Sequence, residues 1–283
     1  MNREERAKIA ADTMAIIEAG RYQLEDGRTV SIADDMARCY EGTRLFRPDD
    51  LSELIKNVHI EYRPTSGSAT IELANETTLA GVAALRRETS GVVGALNFAS
   101  AKNPGGGFLS GSQAQEESLA RSSALHGSLM REWSYYEYHR ATSSPVYTDA
   151  LILSPDCPVF RDDEGELRSR PDLVTFISGA APNAGQIEKI CAQELAQIPD
   201  ILRRRCRYVL GLAVRSGCKN FVLGAWGCGV FRNDPDMVAR AFANLILNEG
   251  WGRMFECIRF SVLDTTPDQR IYGPFSKTLA VAL

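Results

Sequence analysis

The residues best suited to chemistry fall in one stretch, NPGGGFLSGSQAQEESLARS, from Asn103 to Ser122. It contains Gly105, Gly106 and Gly107 and, after a seven-residue spacer, Gln115, Glu116 and Glu117. Consecutive glycines reach backbone conformations closed to other residues and let the chain approach a ligand without Cβ interference. Successive free N–H groups in such a loop can form a concavity for phosphate, although a plain tight turn accounts for the triplet equally well. Paired carboxylates suit acid–base work. Ser112 and Gln115 also match a capping box, however, and acidic residues in a first helical turn suit the helix dipole. On a helix, neighbours diverge by about 100°, so Glu116 and Glu117 have different tasks. One would hold a sugar hydroxyl while the other transfers a proton. A helix start favours the ionised carboxylate, whereas a general acid must keep its proton. A neighbouring carboxylate and exclusion of water push the other way.

A second candidate loop is GAWGCGVFRNDPD, residues 224–236. It supplies Gly227 and Gly229, with Val230 and Phe231 at its rim. Asp234 before Pro235 reads as a helix start, a capping side chain followed by proline in the first turn. Cys228 lies between two glycines but has no histidine near it in sequence, so a nucleophilic role is not expected. Phe231 is either a core residue or a flat cover for a ribose or base. Two anion-cradling loops in one domain would hold a pyrophosphate from both sides.

The elements that must position these loops follow from hydrophobic periodicity. Residues 3–19 read as a helix stopped by Gly20. YQLEDGRTVSI reads as a hairpin around Asp-Gly, and short helices are predicted at 33–41 and 51–58. From about residue 69 strands and helices alternate. Strands are predicted at 69–74, 92–99, 149–155, 173–180, 220–227 and 255–263. Helices are predicted at 77–89, 113–131, 185–216 with an interruption near Pro199, and 235–248. Several of these strands are continuous apolar runs, as strands buried on both faces are. The fold class is therefore α/β, a three-layer α/β/α sandwich. Residues 1–68 form an N-terminal helical and hairpin extension packed on the main domain, 69–283. Each glycine loop follows a strand and leads into a helix, the place where open α/β sheets bind ligands.

Composition narrows the function. The chain has 283 residues and a net charge of −4, which argues against a general nucleic-acid binder. The first residues, MNREERAKIAADTMAII, lack an apolar signal-peptide core. No run approaches the ~18 apolar residues of a membrane span. Seven cysteines without a CxxC pair suggest neither a zinc site nor a disulfide framework. Three histidines leave little scope for a metal centre. The expectation is a cytoplasmic monomer without metal or cofactor, binding neither DNA nor membrane.

The motifs resemble those of a known family. GGGFLSGSQAQEE is similar to the GGG-x(6–8)-QEE signature of poly(ADP-ribose) glycohydrolases. NFASAKNPGGGFLSGSQAQEESLARSSAL, SPDCPVFRDDEGEL, APNAG and LGAWGCGVFRNDP together look like the family's bacterial-type branch. The resemblance implies a macrodomain-like fold with a mixed sheet. It implies hydrolysis of ribose–ribose O-glycosidic bonds, with poly(ADP-ribose) or ADP-ribosylated protein as partner and ADP-ribose as product. Glu117 matches the catalytic residue, and Glu116 the glutamate that holds ribose hydroxyls. Gly105, Gly106 and Gly107 match the diphosphate-side loop. Gly227, Cys228, Gly229, Val230 and Phe231 match the second loop, with Phe231 packing on the terminal ribose. Gln115 and Asn103 join the substrate-binding set, and Asn97 flanks it. The alternatives are a reader that binds ADP-ribose without cleaving it, and a hydrolase of mono-ADP-ribosylated protein or ADP-ribose esters.

Overall fold

The computed structural model describes residues 1–62, 67–89 and 91–280. Helix α1 (Arg3–Ala19) begins at Asn2, whose side chain accepts from the Glu5 N–H, and ends at Gly20 in the left-handed region. The hairpin β1 (Arg21–Gln23) and β2 (Thr29–Ser31) follows, then α2 (Ala33–Gly42), β3 (Arg44–Phe46) and α3 (Pro48–Glu61). Strand β3 is absent from the sequence reading because three residues show no periodicity. It pairs antiparallel with β6 (Leu151–Arg161) and so carries the N-terminal segment onto the edge of the main sheet. The expected boundary at 68/69 adjoins residues 63–66, which lie outside the described residues.

The main sheet has seven strands in the order β3-β6-β7-β5-β8-β9-β4, where β4 is Thr70–Ala74, β5 Val93–Phe98, β7 Leu167–Gly179, β8 Asn220–Leu223 and β9 Cys257–Ser261. The block from β7 to β4 is parallel, and β6 and β3 add antiparallel pairs at one edge. Alternate strand residues point to opposite faces. Leu151, Ile177, Phe221 and Leu223 pack with α3 and the later helices α9 (Ile198–Arg215), α10 (Pro235–Ala243) and α11 (Tyr272–Leu279). Ile152, Phe176 and Val222 pack with α1, α2 and α4 (Thr78–Glu88), and with α5 (Gln115–Ser122), α6 (Leu125–Leu129) and α7 (Trp133–Ala141). This is the expected three-layer sandwich.

Two expectations change. The strands predicted at 149–155 and 173–180 belong to one long hairpin, β6–β7, whose pairing continues to Arg161↔Leu167. Pro155, Pro158 and Pro171 argue against strand in the sequence. The fold accommodates Pro155 with a register shift between Ser154 and Cys157, where Asp156 takes φ +45°, while Pro158 stays in register opposite Leu173 and a second shift follows between Val159 and Arg161. The helix predicted at 113–131 breaks at Ser123, which is extended and bridges to Val159 of β6. The helix of 185–216 is interrupted as expected, α8 (Ala184–Ile190) being followed by a 3-10 stretch before α9.

Candidate active site

A cleft of about 560 Å³ opens where the parallel strands end. Glu76 to Leu79 after β4, Ser100 and Asn103 after β5, Ala181 after β7, Ala225 to Phe231 after β8 and Leu263 after β9 all line it, together with Gln113 to Leu119. Both candidate loops and the glutamate pair thus share one cavity. Gly106, Gly107, Gln115, Glu116, Glu117 and all of Gly227 to Phe231 face it, whereas Gly105 does not.

The capping box expected at Ser112 and Gln115 is not formed. Helix α5 starts after Ala114, and no side chain caps it. Gln115 instead fastens the helix to β5: its Oε1 accepts from the Phe98 N–H (2.8 Å), and its Nε2 donates to Leu96 O (2.8 Å) and Thr78 Oγ1 (3.1 Å). Two sheet-directed bonds outcompete a local one because they satisfy backbone groups at the end of the strand. The result aims the first turn of α5 into the cleft.

Glu116 is buried, with 3% of its surface exposed. Its Oε2 accepts from the Ser100 N–H (2.7 Å) and its Oε1 from Asn97 Nδ2 (3.3 Å). Asn97, wholly buried on β5, also donates to Ser178 Oγ (3.0 Å). Burial raises the Glu116 carboxyl to about 8. The Ser100 and Asn97 donors oppose the rise, and the nearby Glu117 adds to it. Below the ordinary value of 4.5 the carboxyl is neutral in folded and unfolded chains alike. Between that value and about 8 only the folded chain retains the proton, so this group's contribution to stability falls as pH rises through the interval. Glu116→Gln removes the titration. The variant is expected to gain stability over the parent progressively from pH 5 to pH 8, by about 1–3 kcal/mol at the upper end, as read from urea midpoints at each pH.

Glu117 sits one position further round the helix and is half-buried. Its Oε1 accepts from the Gly107 N–H (3.1 Å). Gly106 has φ +59°, and a Cβ there would lie 2.8 Å from Glu117 Cδ, closer still to Oε1, and 3.4 Å from Glu116 Oε2. Both carboxyls therefore converge on the bare face of Gly106. The other two amides of the loop are also engaged, the Gly106 N–H donating to Asn103 O (2.9 Å) and the Gly105 N–H to the Glu116 carboxyl. In this arrangement the first loop shapes and holds the carboxylates.

The second loop has free donors. Among the described residues, no acceptor pairs with the N–H groups of Gly229, Val230 and Phe231, three in succession. They form the kind of concavity that receives an anion. The loop rests on Trp226, whose Nε1 donates to Gly179 O (3.1 Å), and on Asn233, whose Nδ2 donates to Pro182 O (2.8 Å) and Gly227 O (3.3 Å). Asp234 caps α10 as expected, accepting from the Asp236 N–H. Cys228 is buried and its thiol is pushed up to about 12, so it carries no thiolate at neutral pH. The Phe231 ring is half-buried, 6.0 Å from that of Tyr147. Tyr147 takes φ +59°, and buried Arg205 fixes its loop by donating to Val146 O (2.8 Å), Tyr147 O (3.1 Å) and Asp149 (2.7 Å).

Sequence reasoning missed the opposite wall. Thr77 caps α4 and donates to Asp163 Oδ2 (2.6 Å) at the tip of the β6–β7 hairpin, and Glu76 is bound by Arg259 (2.7 Å) and Ser261 (2.9 Å). Glu76 and Thr77 directly follow a strand, which is a usable signal. Asp163 becomes visible only once the hairpin is known to extend. Among the described residues, no group of three or more His, Cys, Asp or Glu is placed to hold a metal ion, and no helix is long and apolar enough to cross a membrane.

A mixed sheet between helical layers, with a glycine loop and two carboxyls at its strand ends, defines a macrodomain-like enzyme with a nucleotide-sized cleft. The sequence profile of the microbial-type PARG catalytic domain matches residues 10–162. The chain belongs to the microbial-type poly(ADP-ribose) glycohydrolase family and is a glycosidase. Poly(ADP-ribose) glycohydrolase from Thermomonospora curvata is similar at 44% identity and a TM-score of 0.92, over 97% of this chain and 99% of that one. The same enzyme bound to the inhibitor ADP-HPD matches at 44% identity and 0.89, with the same coverage. Poly(ADP-ribose) glycohydrolase from Deinococcus radiodurans in complex with ADP-ribose matches at 43% and 0.81, over 88% and 98%. No curated protein sequence matches the chain.

Proposed function

We propose that the protein hydrolyses the ribose–ribose O-glycosidic bonds of poly(ADP-ribose) and releases ADP-ribose. The observation that carries this reading is the placement of the Glu117 carboxylate. It is held by a glycine-loop amide inside the same cleft that presents the unpaired N–H groups of Gly229 to Phe231. The second loop grips the diphosphate, and Phe231 covers the terminal ribose. That fixes the anomeric carbon over the carboxyl pair. Glu117 donates a proton to the departing ribosyl oxygen while the anomeric carbon takes on oxocarbenium character, and then removes a proton from the attacking water. Glu116, whose carboxyl burial pushes up to about 8, hydrogen-bonds the ribose hydroxyls beside Glu117. Asn103 and Gln115 frame the ribose side of the pocket, and Gly105 to Gly107 bring the backbone close enough to hold both carboxyls.

The test is a direct comparison of three substrates: poly(ADP-ribose), a protein bearing single ADP-ribose units, and an ADP-ribose ester. Free ADP-ribose released chiefly from the polymer supports the reading. Binding without release from any of them would identify a reader, and preference for the monomer or ester would move the activity there. Phe231→Ala is expected to weaken ADP-ribose binding about tenfold, or ~1.4 kcal/mol, with little change in thermal stability because the ring is only half-buried. Unchanged affinity by calorimetry would make Phe231 a packing residue alone.

A further inference from the structure

The spacer between the glycine loop and the glutamates is held from two directions. Inward, the Ser110 N–H donates to Gly107 O (3.1 Å), the Gly111 N–H to Phe108 O (2.9 Å) and the Ser112 N–H to Gly107 O (3.2 Å). Outward, Arg3 Nε donates to Ser110 O, Arg6 Nε to Gly111 O and Arg121 Nη1 to Ser112 O, each at 2.9 Å. Three consecutive carbonyls therefore each carry a guanidinium, two from the start of α1 and one from α5 itself. Hydrogen bonds from a charged donor are about twice as strong as neutral ones. Gly111 has φ +74°, and a Cβ there would lie 3.0 Å from the Arg3 carbonyl carbon and closer still to its oxygen. The backbone of α1 thus rests directly on the turn.

Helix α1 is itself anchored further along. The Thr13 hydroxyl donates to Arg121 O (2.5 Å), and buried Arg161 of β6 binds both Asp12 and Thr13. Yet no residue of α1 lines the cleft. Its first turns meet the site only through the spacer, whose turn begins at Gly107, the residue whose amide holds Glu117. We infer that Arg3 and Arg6 are positioning residues for Glu117: they clamp the spacer, and through it the Gly107 amide and the start of α5. The N-terminal helix is in this sense part of the catalytic apparatus. The inference rests on the function proposed above for Glu117.

The experiment uses the full chain with Arg3→Ala and Arg6→Ala together. Arg3 is exposed and Arg6 half-buried, so the variant retains cooperative unfolding. Turnover of poly(ADP-ribose) is expected to fall about tenfold, since small misplacements of a catalytic group are costly. KM and the ADP-ribose Kd stay within about twofold, and amide exchange in residues 106–113 speeds by about tenfold, the factor that ~1.4 kcal/mol of lost local stability gives. Lys8→Ala, on the exposed side of the same helix where Lys8 pairs only with Glu4, leaves all four unchanged. Parental turnover with unchanged exchange would overturn the clamp. So would a joint decline of turnover, affinity and melting temperature, which marks general loosening. A parent protein that fails to cleave the polymer would overturn the proposed function instead, and the exchange measurement would still test the clamp by itself.

Discussion

Glu117→Gln is expected to lower kcat on poly(ADP-ribose) by at least about a thousandfold, within the range for losing a positioned acid–base group, while ADP-ribose binds within about threefold of the parent. The reason is local. Glutamine keeps the size and the hydrogen bond from the Gly107 N–H, so the first turn of α5 has no cause to move. Only the ability to give and accept a proton is lost. In the proposed mechanism the same side chain serves leaving group and water, so no second carboxyl substitutes for it. Glu116 also faces the cleft, but its two oxygens are already engaged by Ser100 and Asn97. Single-turnover release of ADP-ribose measures the chemistry, and calorimetry the binding. A folded Glu117→Gln protein with near-parental release would remove Glu117 from the mechanism and direct attention to Glu116.

Gly106→Ala is expected to be nearly as damaging without touching a reactive atom. Alanine at φ +59° is strained by about 1–2 kcal/mol, and its methyl group would occupy the space of the Glu117 carboxyl. Glu117 must leave the Gly107 amide, and a displacement of about 1 Å costs roughly a hundredfold in rate. The melting temperature should fall by several degrees, while kcat falls far more than that loss of stability explains. Gly273→Ala, at a glycine with open space around it, serves as the comparison and should alter neither. Retention of full turnover by a folded Gly106→Ala protein would show that the glycine is present for the turn alone.

Much of this protein is legible from local pattern. Helix α1 has its cap at Asn2 and its stop at Gly20. The central strands of the parallel block announce themselves as apolar runs, because burial on both faces leaves no room for polar residues. What failed locally did so for identifiable reasons. Ser112 and Gln115 have the letters of a capping box, but strand β5 offers Gln115 better partners. The prolines of β6 and β7 speak against strand, but a register shift absorbs Pro155, and Pro158 pairs with Leu173 across the hairpin. The run after Gln115 reads as one helix until β6 captures Ser123. In each case a partner distant in sequence outweighed a neighbour.

The sequence by itself determined the inventory of the site: a glycine loop, a second loop ending in Phe231, and two adjacent glutamates a fixed distance from the first loop. Those are covalent facts, and they point to the reaction class through their resemblance to the poly(ADP-ribose) glycohydrolase signature, because taken singly each group also suits a turn or a helix start. Tertiary structure alone decided how the groups differ. Burial against β5 raises the Glu116 carboxyl well above the usual range and engages it with Ser100 and Asn97, while Glu117, one residue on, is half-buried and takes the Gly107 amide. This difference between identical side chains depends on solvent exclusion and on donors from other elements, neither of which is encoded in spacing. The same holds for Arg3 and Arg6, more than a hundred residues from the carbonyls they hold. Only the packing of α1 on the spacer makes them part of the site.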